Sequence, residues 1–345
     1  MSSASGTQPA ESGVPRPATL ADVAAAADVS TSTVSRALRD SPLVSDATRE
    51  RVQEIAVGIG FEPNRLARSL RTRSSMFVGV VVPDVAIAFY AAALKGAQDV
   101  LERAGYQVLV MNTEREASRE TASLRTLRAH RVDGLLVATS GGFSGAGGTP
   151  VVFFDQLADG EGLASVSPAN REGVALLVDH LVEHGHTRIG YVGAPPGLTS
   201  STERLEGFRT ALERHGLGPG AVELGDVLWS EESGDRATQE LLAAPDPPTA
   251  IVAAGDTLAL GALRALRGCG LTVPDDVALV SFDDPASGDL LDPPVTALSS
   301  HAAELGGRSA GLLLEALAGR LEGEPISARI SLELIVRRSC GCSPR

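Results

Sequence analysis

The chain has 345 residues, 43% of them hydrophobic and 21% charged, with a net charge of −13. That length predicts two or three domains, each large enough for its own core, and no apolar run approaches the length of a membrane span. Three cysteines (Cys269, Cys340, Cys342) exclude a disulfide framework and fit a reducing cytoplasm.

The opening segment MSSASGTQPAESGVP lacks the basic start and apolar core of a signal peptide, so 1–16 is expected to be a disordered tail. TLADVAAAADVSTSTVSRALR then reads as two short helices joined by a turn. Thr19 caps the first, with Asp22 as a weaker capping-box acid, and Leu20, Val23, Ala24 and Ala27 form its apolar face. Asp28 suits a left-handed turn residue. Ser30 caps the second helix, whose Val34, Ala37 and Leu38 point inward and whose Thr31, Ser32, Ser35 and Arg36 point out. Short hydroxyls and one guanidinium suit a DNA major groove, although such helix pairs also occur in plain structural domains. SPLVSDATRERVQEIAVGIGFEPN supplies a third helix, capped by Ser45 and lined by Val52, Ile55, Ala56 and Ile59. NRLARSLRT follows as a linker able to form two helical turns once docked.

Charge is divided unevenly. Residues 1–75 hold nine arginines and eight acids, whereas 76–345 hold 21 basic and 35 acidic residues. Within the first part, 64–73 carry four arginines and no acid, so positive charge is local to the segment nearest a DNA-reading head.

From Met76 apolar strands alternate with amphipathic helices, the pattern of parallel α/β sheets. Strands are expected at MFVGVVVP, YQVLVMN, VDGLLVAT, PVVFFD, RIGYVG, TAIVAAG, VALVSFDD and ISLELIVRRS. Two such half-sheets predict two Rossmann-like lobes with a ligand cleft at the carboxyl ends of the strands. SGGFSGAGGT at 140–149 is half glycine and reads as a mobile loop; it lacks the Lys-Ser/Thr of a phosphate loop. In HLVEHGH, His180 and His184 stand one helical turn apart with His186 nearby, a metal-compatible spacing. They lack the Glu of a metalloprotease helix and read as ordinary helix residues. Cys340-Gly341-Cys342 is a thiol pair with no second pair beside it, so no metal site and no cofactor is expected. No nucleophile-elbow sequence organises the serines, histidines and aspartates, so no enzyme is expected.

The wording of TLADVAAAADVSTSTVSRAL closely resembles the opening of the lac repressor (LacI/GalR-type) family. The resemblance continues at NRLARSLRT, RLEGFRTAL, ALGALRAL, VPDDVALVSFDD and DPPVTAL, covering about 18–340. It implies a multidomain protein: a helix-turn-helix headpiece over 17–62, a hinge helix over 63–75 and a periplasmic-binding-protein-like core over 76–340. The first lobe is expected at 76–168 and 299–325, the second at 169–298 and 326–340. The implied function is a cytoplasmic, nucleoid-associated, dimeric repressor of a near-palindromic operator, controlled by a small effector, often a sugar. A solute-binding protein of the same fold is the alternative. No terminal heptads follow the last strand, so a homodimer is expected rather than a tetramer.

Carried over by position, DNA contacts fall on Thr19, Thr31, Ser32, Thr33, Ser35 and Arg36 of the head, and on Asn64, Arg65, Ala67 and Leu70 of the hinge. In family members the hinge leucines wedge into the minor groove. Effector contacts fall on Ala86, Phe89, Tyr90, Asp155, Arg204, Trp229, Asp256 and Asp283. Several positions depart from the pattern: Ala86-Ile87-Ala88 replace Ser-Asn-Pro, Gln156 stands where Arg is common, Ala169 replaces Asp and Gly255 replaces Asn. Each departure removes a hydrogen-bonding side chain, which predicts a less polar effector.

Overall fold

The computed structural model describes residues 16, 18–61, 74–157, 163–194, 197–218, 229–321 and 326–342. The expected N-terminal tail and the hinge residues Asn64, Arg65, Ala67 and Leu70 lie outside the described residues. The chain divides into two compact units, 1–73 and 74–345.

The first unit is built on side-chain caps. Helix α1 (Leu20–Ala26) starts at a full capping box: the Thr19 N–H donates to Asp22 Oδ2 at 2.7 Å, and the Asp22 N–H donates to Thr19 Oγ1 at 3.4 Å. Asp28 takes a φ of 50° and turns the chain. Ser30 Oγ then accepts the Thr33 N–H at 3.1 Å, opening α2 (Thr31–Ala37). Ser45 caps α3 (Asp46–Gly58), and Gly60 leaves it with a φ of 67°. Val23, Ala24, Ala27, Val34, Ala37, Val44, Val52 and Ala56 form the small core of the three helices. Ile59, expected inside, is 40% exposed because it follows the end of α3.

The second unit contains two sheets. In the first lobe, β1 (Phe77–Val82), β2 (Gln107–Asn112), β3 (Gly134–Val137), β4 (Val151–Phe154), β5 (Ala164–Pro168) and β10 (Ser327–Ile330) run parallel in the order β10-β5-β4-β3-β1-β2. In the second, β6 (Ile189–Val192), β7 (Ala250–Ala253), β8 (Ala278–Ser281) and β9 (Thr296–Ser299) are parallel, and β11 (Glu333–Ile335) closes the β9 edge antiparallel. Nearly every residue of the inner strands is buried, as a sheet covered by helices on both faces requires. Helices α4 (Ala88–Arg103), α5 (Ala117–Ala129) and α10 (Ala302–Leu317) serve the first lobe. Helices α6 (Asn170–Glu183), α7 (Thr199–Arg214), α8 (Glu231–Leu242) and α9 (Asp256–Gly268) serve the second.

Two results differ from the sequence expectation. The segment 326–340, assigned whole to the second lobe with one strand over ISLELIVRRS (330–339), divides at Ser331-Leu332. Ser327–Ile330 pairs with β5 in the first sheet, burying Ala328 and Ile330 there, while Leu332 and Leu334 pack on the second core. One apolar alternation thus serves two cores, and the chain crosses between lobes after β5, after β9 and after β10. The glycine-rich loop at 140–149 has neither helix nor strand, yet it is pinned. The fully buried Glu120 accepts Thr139 Oγ1 at 2.8 Å and the Gly142 N–H at 3.2 Å, and Phe143 packs edge-on against Phe153.

Helices α4 and α10 approach almost backbone to backbone. A Cβ on Gly306 would lie 1.8 Å from the Ala93 carbonyl oxygen, and one on Gly96 would lie 1.9 Å from that of Ala303. In a solvated helix Gly→Ala gains about 1 kcal/mol. Here the sign reverses: Gly306→Ala should lower stability by about 1–3 kcal/mol, read from urea unfolding followed by circular dichroism.

Candidate functional site

On the head, α2 presents its outer face with Thr31, Ser32 and Arg36 exposed and with Thr33 and Ser35 half-buried. Capping partly occupies these groups. Ser30 Oγ lies 2.7 Å from Ser32 Oγ and 2.9 Å from Thr33 Oγ1, and Ser35 Oγ accepts Arg39 Nη2 at 2.6 Å. Thr19 spends its hydroxyl on Asp22, donating at 2.6 Å. Thr31 and Arg36 make no side-chain hydrogen bond among the described residues, and so are the groups most available to an external partner.

In the second unit a cleft opens at the carboxyl ends of strands from both lobes. Ile87, Phe89, Tyr90, Arg115, Asp155 and Gln156 come from the first lobe, and Ser200, Arg204, Trp229, Gly255, Asp256, Thr257 and Asp283 from the second. Seven of the eight expected contacts therefore line one cavity. Ala86 does not: the Ala86 N–H donates to Asp84 Oδ1 and the Val85 N–H to Asn112 Oδ1, which turns this loop outward and brings Ile87 to the wall instead. The cavity holds about 40 Å³, and an adjoining depression of about 410 Å³ shares Phe89, Asp256 and Asp283 with it.

Arg204 is the organising cation. Its Nε donates to Asn170 Oδ1 at 3.0 Å and its Nη1 to Asp283 Oδ2 at 3.2 Å, while Nη2 has no hydrogen bond among the described residues. The guanidinium lies 3.6 Å from the Phe282 ring centre and 5.6 Å from that of Trp229. Asp283 Oδ1 is buried without a hydrogen-bond partner. Asp155, held at a φ of 58°, accepts the Tyr90 hydroxyl at 2.6 Å and Gln156 Nε2 at 3.2 Å. Burial pushes the Asp155 carboxyl up, partly opposed by Arg204 and Tyr90. Burial, then the charge of Asp283, pushes Asp256 from 3.8 up to about 6.

Gly255 explains itself here. A Cβ at this position would come within 2.7 Å of the Trp229 ring, so the missing asparagine makes room for the indole. The other departures do not strip the cleft of polar groups. Gln156 holds Asp155, Asn170 aims Arg204, and Arg115, Ser200 and Thr257 add donors that sequence spacing did not single out. The lining combines carboxylates, hydroxyls and guanidinium groups with the apolar faces of Ile87, Phe89 and Trp229.

Asp256 gives a pH signature. The folded carboxyl keeps its proton up to about pH 6, against 3.8 when unperturbed, so this group adds stability at low pH that is lost as pH rises through that window. Asp256→Asn should therefore raise stability by about 1–3 kcal/mol at neutral pH and by almost nothing below about pH 4. Thermal melts across that range measure the difference.

Residues 19–64 match the family described as bacterial regulatory proteins, lacI family, and 178–340 match a periplasmic binding protein-like domain. The HTH-type transcriptional repressor CytR of Escherichia coli (strain K12) is 33% identical over 335 residues, covering 95% of this chain and 97% of that one. The ribose operon repressor of Bacillus subtilis (strain 168) is 31% identical over 90% of this chain and 94% of its own length. Among solved structures, the lac repressor dimer bound to operator and the anti-inducer ONPF superposes with a TM-score of 0.85 at 28% identity, over 94% of this chain and 99% of that one. The CelR–cellobiose complex superposes with a TM-score of 0.70 at 32% identity, over 94% and 100%. The chain belongs to the lacI family of bacterial regulatory proteins and is a DNA-binding transcriptional regulator with an effector-binding core, not an enzyme.

Proposed function

We propose that the chain is a homodimeric repressor that binds a near-palindromic operator in the cytoplasm and nucleoid, and whose operator affinity is set by a polyhydroxylated ring compound, a sugar or nucleoside, held in the cleft. The observation that carries the effector class is the unpartnered, buried Asp283 Oδ1 beside Arg204 and Trp229. A buried acceptor without a donor is unfavourable by about 1–3 kcal/mol, and ligand hydroxyls relieve it. Asp256 offers further acceptors, Arg204 Nη2 and Arg115 offer donors, and Trp229 offers a flat apolar face for a ring. A cavity of about 40 Å³ holds on the order of three waters, so a ring of that class enters only when the lobes open toward the adjoining depression. A ligand that binds the open and closed arrangements unequally then shifts the population, and with it the hinge.

For the DNA, we assign base and phosphate contacts to Thr31, Ser32, Thr33, Ser35 and Arg36, helix anchoring to Thr19, and minor-groove and phosphate contacts to Asn64, Arg65, Ala67 and Leu70. Thr31 and Ser32 are short and tolerant, so the arginine-bearing hinge supplies much of the affinity. Trp229 is the only tryptophan, and its emission reports occupancy of the cleft. The test has two arms. Operator affinity, measured on sites selected from a random duplex pool, should fall steeply with salt, and Leu70→Ala should weaken it more than Thr31→Ala. Sugars and nucleosides titrated against Trp229 emission should include one that shifts it, with the shift abolished in Arg204→Ala. Comparable small losses in both DNA variants would overturn the division of labour. Silence of Trp229 and of thermal stability toward the whole panel would overturn the ligand class.

A further inference from the structure

Apart from the residues of the cleft and of the DNA-reading helix, the second lobe carries a cluster that neither function uses. His180 and His184 stand one turn apart near the end of α6, with ring centres 4.6 Å apart. Against them lies the segment that follows β11. Gly341 adopts a φ of 84° and folds that segment back, so that Cys340 and Cys342 both turn toward α6. The donor atoms of His180, Cys340 and Cys342 all lie within 4.8 Å of one another. Cys342 Sγ is 3.4 Å from His180 Nε2 and 3.0 Å from His184 Nε2. Residues 158 and 162 positions apart in sequence thus meet: His180, Cys340 and Cys342 form one cluster, and His184 joins it through Cys342.

We propose that His180, His184, Cys340 and Cys342 form a binding site for a zinc-class cation, which fastens the C-terminal segment to α6. The donor set is the two-nitrogen, two-sulfur combination that a tetrahedral, thiophilic divalent cation takes. Metal–sulfur bonds of about 2.3 Å and metal–nitrogen bonds of about 2.0 Å place neighbouring donors roughly 3.5 Å apart, close to the 3.4 Å of His180, and His184 at 3.0 Å needs only a small outward shift. The surrounding hydrogen bonds orient the ligands. His184 Nδ1 lies 2.7 Å from the His180 carbonyl oxygen, which can only accept, so Nδ1 carries the proton and Nε2 directs its lone pair toward the sulfur. Thr296 Oγ1 donates to Cys340 Sγ at 3.1 Å, fixing that sulfur from the opposite side. His180 and Cys340 are buried, Cys342 is half-buried and His184 is exposed, so the cation reaches the site from solvent. The segment it would hold is structural: Ser339 Oγ accepts the Thr296 N–H at 2.8 Å and donates to the Leu279 carbonyl, tying the tail across β8 and β9. Binding releases the two thiol protons and forms two thiolate–metal bonds without any change of oxidation state.

The test uses full-length, tag-free protein under reducing conditions with zinc or cobalt as the only probe. About one zinc per chain is expected by elemental analysis. Cobalt(II) should give the intense visible bands of a tetrahedral centre and a near-ultraviolet thiolate charge-transfer band. Zinc should protect the half-buried Cys342 from a thiol reagent, while Cys269, exposed and outside the cluster, stays reactive. It should also raise the melting temperature. Cys342→Ser and His184→Ala, at positions that tolerate change, should each lower zinc affinity by on the order of a hundredfold and remove the melting shift, while both variants remain folded. The inference fails if cobalt gives only a weak octahedral spectrum or Cys342 stays as reactive in zinc as without it. It fails equally if protection of Cys340 and Cys342 is reversed by a reductant alone, which marks a disulfide.

Discussion

The core is arranged around one buried carboxylate, that of Glu203 on α7. Arg329 of β10, from the first sheet, grips it with two hydrogen bonds of 2.7 Å, and Arg171 and Asn170 of α6 add contacts at 2.8 and 3.0 Å. Burial alone pushes this carboxyl up, but the hydrogen bonds from Arg329 and Asn170 and the charges of both arginines hold it below the usual carboxylate range. It therefore stabilises the fold at neutral pH, and that contribution is lost as pH falls through its depressed value. The same carboxylate reaches the cleft. Asn170 donates to Glu203 with its nitrogen and accepts from Arg204 with its oxygen, so the lobe-to-lobe contact and the aim of Arg204 share one residue. A ligand that moves Arg204 acts on the contact that relates the lobes.

This arrangement gives physical content to regulation. Arg204 is already committed to Asp283 and to the Phe282 and Trp229 rings, in a cavity too small for a ring compound. Under the proposed reading, binding exchanges the Arg204–Asp283 contact and the unsatisfied Asp283 oxygen for ligand hydroxyls and separates the walls. The energy available for shifting operator affinity is the difference in ligand binding between the two lobe arrangements, typically 1–3 kcal/mol.

Much of this was legible in the sequence where the cause is local. Thr19, Ser30 and Ser45 announce three helices because a cap is a short-range hydrogen bond, and Asp28 announces its turn through a side chain that tolerates positive φ. The cleft residues were legible through family resemblance, and the α/β rhythm through buried apolar strands. What was hidden depends on distant partners. Strand β5, written ASVSP, has too little apolar character to announce itself, and is fixed by β4 and β10 on either side. The break at Ser331-Leu332 follows from two cores competing for one apolar stretch. Gly255 looked like a lost hydrogen bond until the Trp229 ring was found in its place. The histidine pair and the thiol pair each looked incomplete because each lacked the other, and only the path of the chain past β11 joins them.

The central claim is that the cleft controls the operator through the lobe arrangement. Its most direct measurement is operator affinity by fluorescence anisotropy at fixed salt, with and without a ligand that shifts Trp229 emission, in the natural protein and in Glu203→Gln. The account predicts a change of about fivefold or more in the natural protein. In the variant the ligand should still shift Trp229 while the operator response shrinks. A cleft ligand that leaves operator affinity unchanged, or an identical response in the two proteins, would contradict it.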